Sequence, residues 1–206
     1  MSKVISEQEL YKNIDFYANE LKNGKNFVLP TSTIYGICTN ALNEQAINKI
    51  YKIKRREYTK PLIVLVNDYD MLKRVCFDLN EIENKIAIKF WPGPLTMILK
   101  KKSIIPNIVT ANKDTVGIRI DSSKIINTLI EKSGVPIVAP SANISGNINI
   151  TNIENLECSL KEKVDYIVSS GVLNNTIEST IVKVQDDNIE ILREGKISNK
   201  EIFNLK

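Results

Sequence analysis

The segment 140–146, Pro-Ser-Ala-Asn-Ile-Ser-Gly, contains residue types from which a small-ligand site can be built. It follows a short apolar run, 136–139, which is predicted to be the end of a buried strand. Ligands usually bind at such strand ends in α/β sheets, where hydroxyls, an amide and backbone N–H groups become available. The alternative is a turn in which Ser141 and Asn143 only cap their own backbone.

A group of cations lies between a predicted helix end and a buried strand. The run 54–62, Lys-Arg-Arg-Glu-Tyr-Thr-Lys-Pro-Leu, includes Lys54, Arg56 and Lys60. Arginine provides a rigid fork of donors and lysine a point charge, a combination suited to binding a triphosphate. Complementing the helix dipole is the alternative for Lys54. That alternative does not account for Lys60, which stands beside a strand start fixed by Pro61.

Hydroxyls and an arginine occur in two further segments. In 30–36, three consecutive hydroxyl residues that include Thr33 follow a predicted strand, and they can bind a small polar substrate or an anion. Local backbone capping is the alternative. In strand 115–120 alternate side chains share a face, so Thr115 and Arg119 point the same way. A clamp on a substrate carboxylate fits Arg119 better than a surface role.

A late pair of predicted strands brings two more polar groups together. Ser179 precedes strand 180–184, and Arg193 follows strand 189–192. The turn sequence Asp-Asp-Asn at 186–188 predicts that these strands form a hairpin. We therefore expect Ser179 and Arg193 to be neighbours at one end of the sheet.

Several absences restrict the chemistry. The chain contains no histidine, which excludes Ser-His-Asp and Cys-His catalysis and histidine metal ligands. The glycine-rich loops G-x-x-x-x-G-K-[ST] and G-x-G-x-x-G are missing. Cys38, Cys76 and Cys158 are scattered, which argues against a disulfide framework or a zinc site. A phosphate ligand must therefore be held by side chains and separate backbone amides.

The chain as a whole has the composition of one globular domain spanning residues 1–206. It is 43% hydrophobic and 25% charged, with a net charge of +4 that allows anionic ligands or RNA without demanding either. The N-terminus lacks the apolar stretch of a signal peptide. The longest apolar runs, such as 62–66, are far shorter than the roughly 20 residues that span a bilayer. We expect a cytoplasmic protein without a membrane segment.

Helix and strand signals alternate early in the chain, and strands dominate late. Ser6 and Glu9 predict a capping box for a helix that ends at Gly24. Further helices are predicted after Asn43, after Asn80 up to 91–94, after Ser122 or Ser123 up to Gly134, and around 153–160. Strands are predicted at 27–29, 62–66, 95–99, 116–120, 136–139, 166–169, 180–184 and 189–192. This pattern indicates an α/β domain with a mixed parallel and antiparallel sheet flanked by helices.

Taken together, these segments resemble the YrdC-like threonylcarbamoyl-AMP synthase family. The matching stretches run in the family's order along nearly the whole chain: 30–36, 54–62, Trp-Pro-Gly-Pro-Leu-Thr at 91–96, 115–119, 140–146, Ser-Thr-Ile-Val at 179–182 and Arg-Glu-Gly at 193–195. The resemblance implies an open YrdC-like (RibB-like) α/β fold with a basic concave groove. It also implies a short form without the extra C-terminal domain of longer relatives.

The resemblance implies that L-threonine, bicarbonate and ATP give threonylcarbamoyl-AMP and pyrophosphate. Mg²⁺ would be held through the ATP phosphates, not by protein side chains. Other proteins would then transfer the threonylcarbamoyl group to the adenosine beside the anticodon of certain tRNAs, with at most weak RNA contact by this chain. The implied site residues are Thr33, Arg119, Ser179 and the Ala139 backbone for threonine; Arg56, Lys60, Thr115, Ser141, Asn143, Asn149 and Arg193 for ATP; and Lys54, Arg56 and Lys60 for catalysis.

The sequence departs from the family pattern at four positions. Leu65 stands where many relatives carry a histidine that helps to hold threonine. Glu57 and Asp121 stand where proline is common, and Asn149 where serine is usual.

Two other functions are compatible with the same residues. One is a non-catalytic RNA-binding or ribosome-associated protein, against which the weak net charge and the 6% aromatic content argue. The other is a paralogue acting on another small acyl or carbamoyl substrate. The presence of Lys54, Arg56, Ser141 and Asn143 together favours the synthase.

Overall fold

A computed structural model of the chain describes residues 2–174, 177–186 and 188–204. Within these ranges, ten strands form one sheet in the order β1-β8-β2-β3-β7-β4-β6-β5-β9-β10. Their bounds are β1 Lys3–Ser6, β2 Phe27–Pro30, β3 Tyr35–Asn40, β4 Ile63–Val66, β5 Leu95–Lys100, β6 Thr115–Ile120, β7 Ile137–Val138, β8 Tyr166–Ser169, β9 Thr180–Gln185 and β10 Asn188–Arg193.

The helices cover the sheet with their apolar faces. Their bounds are α1 Glu7–Lys12, α2 Ile14–Lys22, α3 Glu44–Lys54, α4 Tyr69–Val75, α5 Glu81–Phe90, α6 Asn107–Thr110, α7 Lys124–Ser133, α8 Cys158–Lys161 and α9 Asn199–Phe203, with a 3₁₀ turn at Ile153–Asn155. In α7, for example, Ile126, Leu129 and Ile130 recur at helical spacing and are fully buried, and this helix packs against α2.

The sheet is mixed, as predicted. β4 pairs with β6 in parallel, β5 pairs antiparallel with β6, and β9 pairs in parallel with β5. Strands β2 and β3 are buried along their whole length, so the sheet has core on both faces in its centre.

The late hairpin is also confirmed. β9 and β10 pair antiparallel, with Ile181 opposite Arg193 and a bulge between Ile191 and Arg193. The predicted turn includes Asp187, which lies outside the described residues. The hairpin brings Arg193 back to the start of β9, where Ser179 is located.

The N-terminal helix differs from its prediction. It is divided at Asn13 into α1 and α2. Ser6 accepts a hydrogen bond from the N–H of Glu9, but the Glu9 carboxylate accepts from Lys3 Nζ and Tyr17 Oη, so the capping box is not completed. Lys3 lies in β1 and Tyr17 in α2, and a capping pattern of two residues does not predict such contacts between neighbouring elements.

Other local signals are confirmed only in part. Asn43 caps α3 and Asn80 forms a full capping box with Glu83, whereas the Ser123 hydroxyl donates to the Pro30 carbonyl and does not cap α7. The helix predicted around 153–160 is a 3₁₀ turn followed by the single-turn α8. Among the described elements, β1, β3, α4, α6 and α9 were not predicted. None of the helices in the described ranges is long and apolar enough to cross a membrane.

Candidate functional site

A cavity of about 400 Å³ opens where the polar ends of several strands meet. Its wall is made by six segments: the turn after β2, the α3–β4 loop, β5, β6, the loop after β7, and the β9–β10 hairpin. The polar and charged lining residues are Thr31, Thr33, Arg56, Thr59, Lys60, Arg119, Ser141, Glu178, Ser179 and Arg193. Hydroxyls and cations therefore converge in one volume large enough for a small-molecule ligand.

Arg119 lies on the floor of the cavity and is 5% exposed. Its guanidinium donates to Thr33 Oγ1 at 3.2 Å and forms an ion pair with Asp121, at 2.5 Å from Nη2 to Oδ2. Gly117, two residues earlier on the same face of β6, also lines the cavity. A Cβ at Gly117 would lie 3.3 Å from Thr96 Cγ2, so the small residue keeps the floor open beside the arginine.

Lys54 is buried behind the cavity wall and does not line the cavity. Its Nζ donates to the Ser141 carbonyl at 2.5 Å, to the Asn143 carbonyl at 2.7 Å and to Asn143 Oδ1 at 3.1 Å. Burial, together with the nearby Arg56 guanidinium, lowers the pKa of Lys54 to about 7. The three oxygen acceptors favour its charged form, and they tie the 140–146 loop to the end of α3.

The 140–146 loop is further stiffened by its own side chains. Ser141 Oγ donates to Asn143 Oδ1 at 2.6 Å. The Asn143 amide group donates to the Asn147 carbonyl at 2.5 Å and to Asn149 Oδ1 at 3.3 Å. In this chain the amides of Asn143 and Asn149 are thus engaged in holding the loop, while Ser141 faces the cavity.

Arg56 and Lys60 belong to the α3–β4 loop and both line the cavity. Arg56 donates from Nε to the Lys60 carbonyl at 3.1 Å and from Nη2 to the Pro61 carbonyl at 2.9 Å, which fixes the guanidinium against the loop. Partial burial lowers the pKa of Arg56 from its usual value. Lys60 is exposed, and its ammonium pairs with the Glu57 carboxylate at 2.9 Å.

The hairpin contributes a hydroxyl and a fourth lining cation. Arg193 donates from Nε and Nη2 to the Ser179 carbonyl, at 3.1 and 2.9 Å, and its Nη1 pairs with Glu178 at 2.7 Å. The Ser179 hydroxyl lies 2.9 Å from Thr96 Oγ1. Partial burial lowers the pKa of Arg193 from its usual value. These contacts place the buried Ser179 and the half-exposed Arg193 side by side.

Gly195 allows this part of the hairpin to close. A Cβ there would clash with the Glu178 carbonyl oxygen and would lie 2.6 Å from Ser179 C and 2.7 Å from Ser179 O. All three are backbone atoms, so moving them to make room for the Cβ would cost considerable free energy. We expect Gly195→Ala to lower the free energy of unfolding by about 2 kcal/mol or more.

Urea denaturation of G195A, compared with the exposed-site variant K200A, checks this expectation. The K200A change should stay within about 0.5 kcal/mol. Equal stabilities of G195A and wild type would show that the 178–179 backbone relaxes freely.

The structure brings most of the predicted site residues together. Those that line the cavity are Thr33, Arg56, Lys60, Arg119, Ala139, Ser141, Ser179 and Arg193. Those that the structure places outside the cavity lining are Lys54, Thr115, Asn143 and Asn149. Leu65 is fully buried opposite Arg119 in the β4–β6 pairing and is also outside the lining.

Three residues with direct contacts to the site were not predicted. Asp121 pairs with Arg119, Glu178 with Arg193, and Thr96 with the Ser179 hydroxyl. The contact of Glu178 with Arg193 could have been predicted, because Glu178 directly precedes Ser179, which the hairpin was expected to place beside Arg193. For Asp121 and Thr96 the contacts depend on the sheet order.

Comparison with known proteins identifies relatives along most of the chain. The Sua5/YciO/YrdC family model, described as telomere recombination, matches residues 19–195. A Methanocaldococcus jannaschii protein, provisionally named as a threonylcarbamoyl-AMP synthase, is 44% identical over 94% of this chain and 90% of its own length. The threonylcarbamoyl-AMP synthase of Bacillus subtilis is 37% identical over 88% of this chain and 53% of its own length.

A solved structure shows the same fold. The crystal structure of Pyrococcus abyssi Sua5 complexed with L-threonine matches with a TM-score of 0.92 and 32% identity. It covers 100% of this chain and 60% of the Pyrococcus protein. The chain thus spans nearly all of the Methanocaldococcus relative and little more than half of the other two.

Proposed function

The chain belongs to the Sua5/YciO/YrdC family, and on that premise we propose that it is an L-threonylcarbamoyladenylate synthase, a nucleotidyltransferase. It forms threonylcarbamoyl-AMP and pyrophosphate from L-threonine, bicarbonate and ATP. The product is a reactive mixed anhydride. Separate transfer proteins consume it when they modify the adenosine beside the anticodon of tRNA.

One observation supports this proposal above the others: a single cavity contains groups for the amino acid and groups for the triphosphate. Arg119 and Thr33 offer donors for the carboxylate and hydroxyl of an amino acid, with Ser179 close to Thr96 on another wall. Arg56, Lys60 and Arg193 supply three positive charges for a triphosphate. An RNA-binding protein has no need to enclose an arginine that is only 5% exposed.

The absence of histidine fits the proposed chemistry. The threonine amine attacks the carbon of bicarbonate, a C–O bond breaks and water leaves, and the product is a carbamate. The carbamate is already an anion when it acts as a nucleophile. A carbamate oxygen attacks the α-phosphorus, the bond to the bridging oxygen breaks, and pyrophosphate leaves with the electron pair. No protein base is required at that step, so the residues contribute positioning and charge neutralisation.

The phosphates of ATP compete with carboxylates of this chain for the same cations. Lys60 pairs with Glu57, and Arg193 pairs with Glu178. When a triphosphate enters, Lys60 and Arg193 exchange these partners for phosphate oxygens, to which hydrogen bonds are at least as strong.

We propose that Mg²⁺ arrives with the nucleotide and is held mainly by triphosphate oxygens and water. Within the described residues there is no group of three or more His, Cys, Asp or Glu side chains that could hold a metal ion. The ion would supply further neutralisation of the phosphate charge. The side chains of this protein orient the nucleotide around it.

Pyrophosphate release tests the proposed function. Purified protein is incubated with ATP, Mg²⁺ and bicarbonate, and with each amino acid in turn. We expect release that depends on both threonine and bicarbonate, and we expect R56A to lower it by about 100-fold. R55A is the matched control, because Arg55 is the adjacent, exposed arginine and does not line the cavity. Release with a different amino acid, or none with any, would refute the assignment.

A further inference from the structure

Asp121 is a fully buried carboxylate directly beyond the end of β6. Its Oδ1 accepts from the N–H of Ser32 at 3.0 Å and from the N–H of Ser123 at 2.7 Å. Its Oδ2 accepts from the Ser32 hydroxyl at 3.1 Å and from Arg119 Nη2 at 2.5 Å. One carboxylate therefore joins the turn after β2, the start of α7 and the arginine on the cavity floor.

These contacts fix the direction of the Arg119 guanidinium. Asp121 holds Nη2 from one side, and Thr33 Oγ1 holds Nη1 from the cavity side. Thr33 belongs to the same turn that Asp121 binds through Ser32, so the two anchors of Arg119 are themselves connected. The Nε of Arg119 is buried without a hydrogen-bond partner among the described residues, which leaves a donor of the fork unused.

Stability alone does not explain a carboxylate at this position. Burying an ion pair is costly, and well-packed apolar groups often serve a fold equally well. A proline, for example, would fill the position without charge. A carboxylate makes a directional contact that sets the plane of a facing guanidinium, and neither an apolar side chain nor a proline can make that contact.

We propose that Asp121 is a positioning residue that holds Arg119 and the 31–34 turn in the arrangement that receives the carboxylate of the amino-acid substrate. This inference rests on the proposed function and deepens it. It makes the affinity for the amino-acid substrate depend on a residue outside the cavity lining. Asp121 does not touch the substrate. Its effect passes through Arg119 and Thr33.

D121N tests the inference because it replaces Oδ2, which pairs with Arg119, by an amide nitrogen, and it keeps an oxygen in the place of Oδ1. The amide oxygen can still accept from the N–H groups of Ser32 and Ser123. The amide nitrogen cannot accept from Arg119. We expect the KM for threonine to rise by about tenfold or more, while the KM for ATP changes by less than about twofold.

S123A is the control for general loosening of the same region. It removes the hydroxyl that donates to the Pro30 carbonyl at 3.0 Å and leaves the Arg119 pair intact. We expect its KM for threonine to equal that of the wild type. An unchanged KM in D121N, or an equal rise in S123A, would overturn the inference.

A second measurement tests whether Asp121 positions Arg119, and it does not require an activity assay. In ¹⁵N-resolved NMR, the buried Nε–H of Arg119 should exchange slowly in the wild type and at least about tenfold faster in D121N. R119K identifies the resonance. If the wild type releases no pyrophosphate with threonine, the proposed function fails, and equal exchange rates in wild type and D121N would separately overturn the positioning role.

Discussion

R119K should lower kcat/KM for threonine by about 100-fold or more while the protein still folds. Lysine keeps the positive charge beside the buried Asp121, so the carboxylate is not left unpaired. A single ammonium cannot reach Asp121, Thr33 and a substrate carboxylate in the geometry of a planar fork. Steady-state pyrophosphate release at varied threonine and at varied ATP measures the effect.

The effect of R119K should be confined to the amino-acid substrate. We expect the KM for ATP to change by less than about threefold, because the triphosphate cations Arg56, Lys60 and Arg193 come from other segments. A rise in the KM for ATP equal to that for threonine would place Arg119 at the nucleotide instead.

K54M should destabilise the protein by about 3 kcal/mol and abolish most of its activity. The side chain is 1% exposed and its three oxygen acceptors would lose their donor, each at a cost of about 1 kcal/mol or more. Methionine fills a similar volume, so the change tests the hydrogen bonds and not the packing. Urea denaturation measures the stability, and pyrophosphate release measures the activity.

K52M is the matched control, since Lys52 lies in the last turn of the same helix and is exposed. Its stability should stay within about 0.5 kcal/mol of the wild type.

The difference in stability between wild type and K54M should also depend on pH. Because folding lowers the pKa of Lys54 from 10.5 to about 7, the unfolded chain binds more protons in that interval. The stability of the wild type relative to K54M should therefore grow as the pH rises from about 7 to 10. A difference below about 1 kcal/mol at every pH would contradict this role for Lys54.

Local patterns in the sequence were enough to predict the parts of the site that depend on local pairing. The hairpin of β9 and β10 joins strands that are adjacent in sequence, so the nearness of Ser179 and Arg193 could be expected. The alternation along β6 placed Thr115 and Arg119 on one face, and of these two Arg119 lines the cavity. The order of motifs then identified the family, which no single motif could do.

The remaining parts depend on contacts between distant segments. Asp121 binds Ser32, 89 residues earlier, and Lys54 binds the loop at Ser141, 87 residues later. Read alone, an aspartate after a strand indicates a turn, and a lysine in the last turn of a helix indicates a dipole partner. Only the sheet order, in which β7 lies between β3 and β4, brings these segments together.

The two carboxylate pairs at the cavity, Glu57 with Lys60 and Glu178 with Arg193, have a consequence for selectivity against ordinary cell anions. A monovalent ion such as chloride or acetate can displace at most one resident carboxylate and gains little by the exchange. A triphosphate carries enough charge to displace both at once. These two carboxylates therefore disfavour the binding of monovalent anions to Lys60 and Arg193, and they favour a ligand with several negative charges.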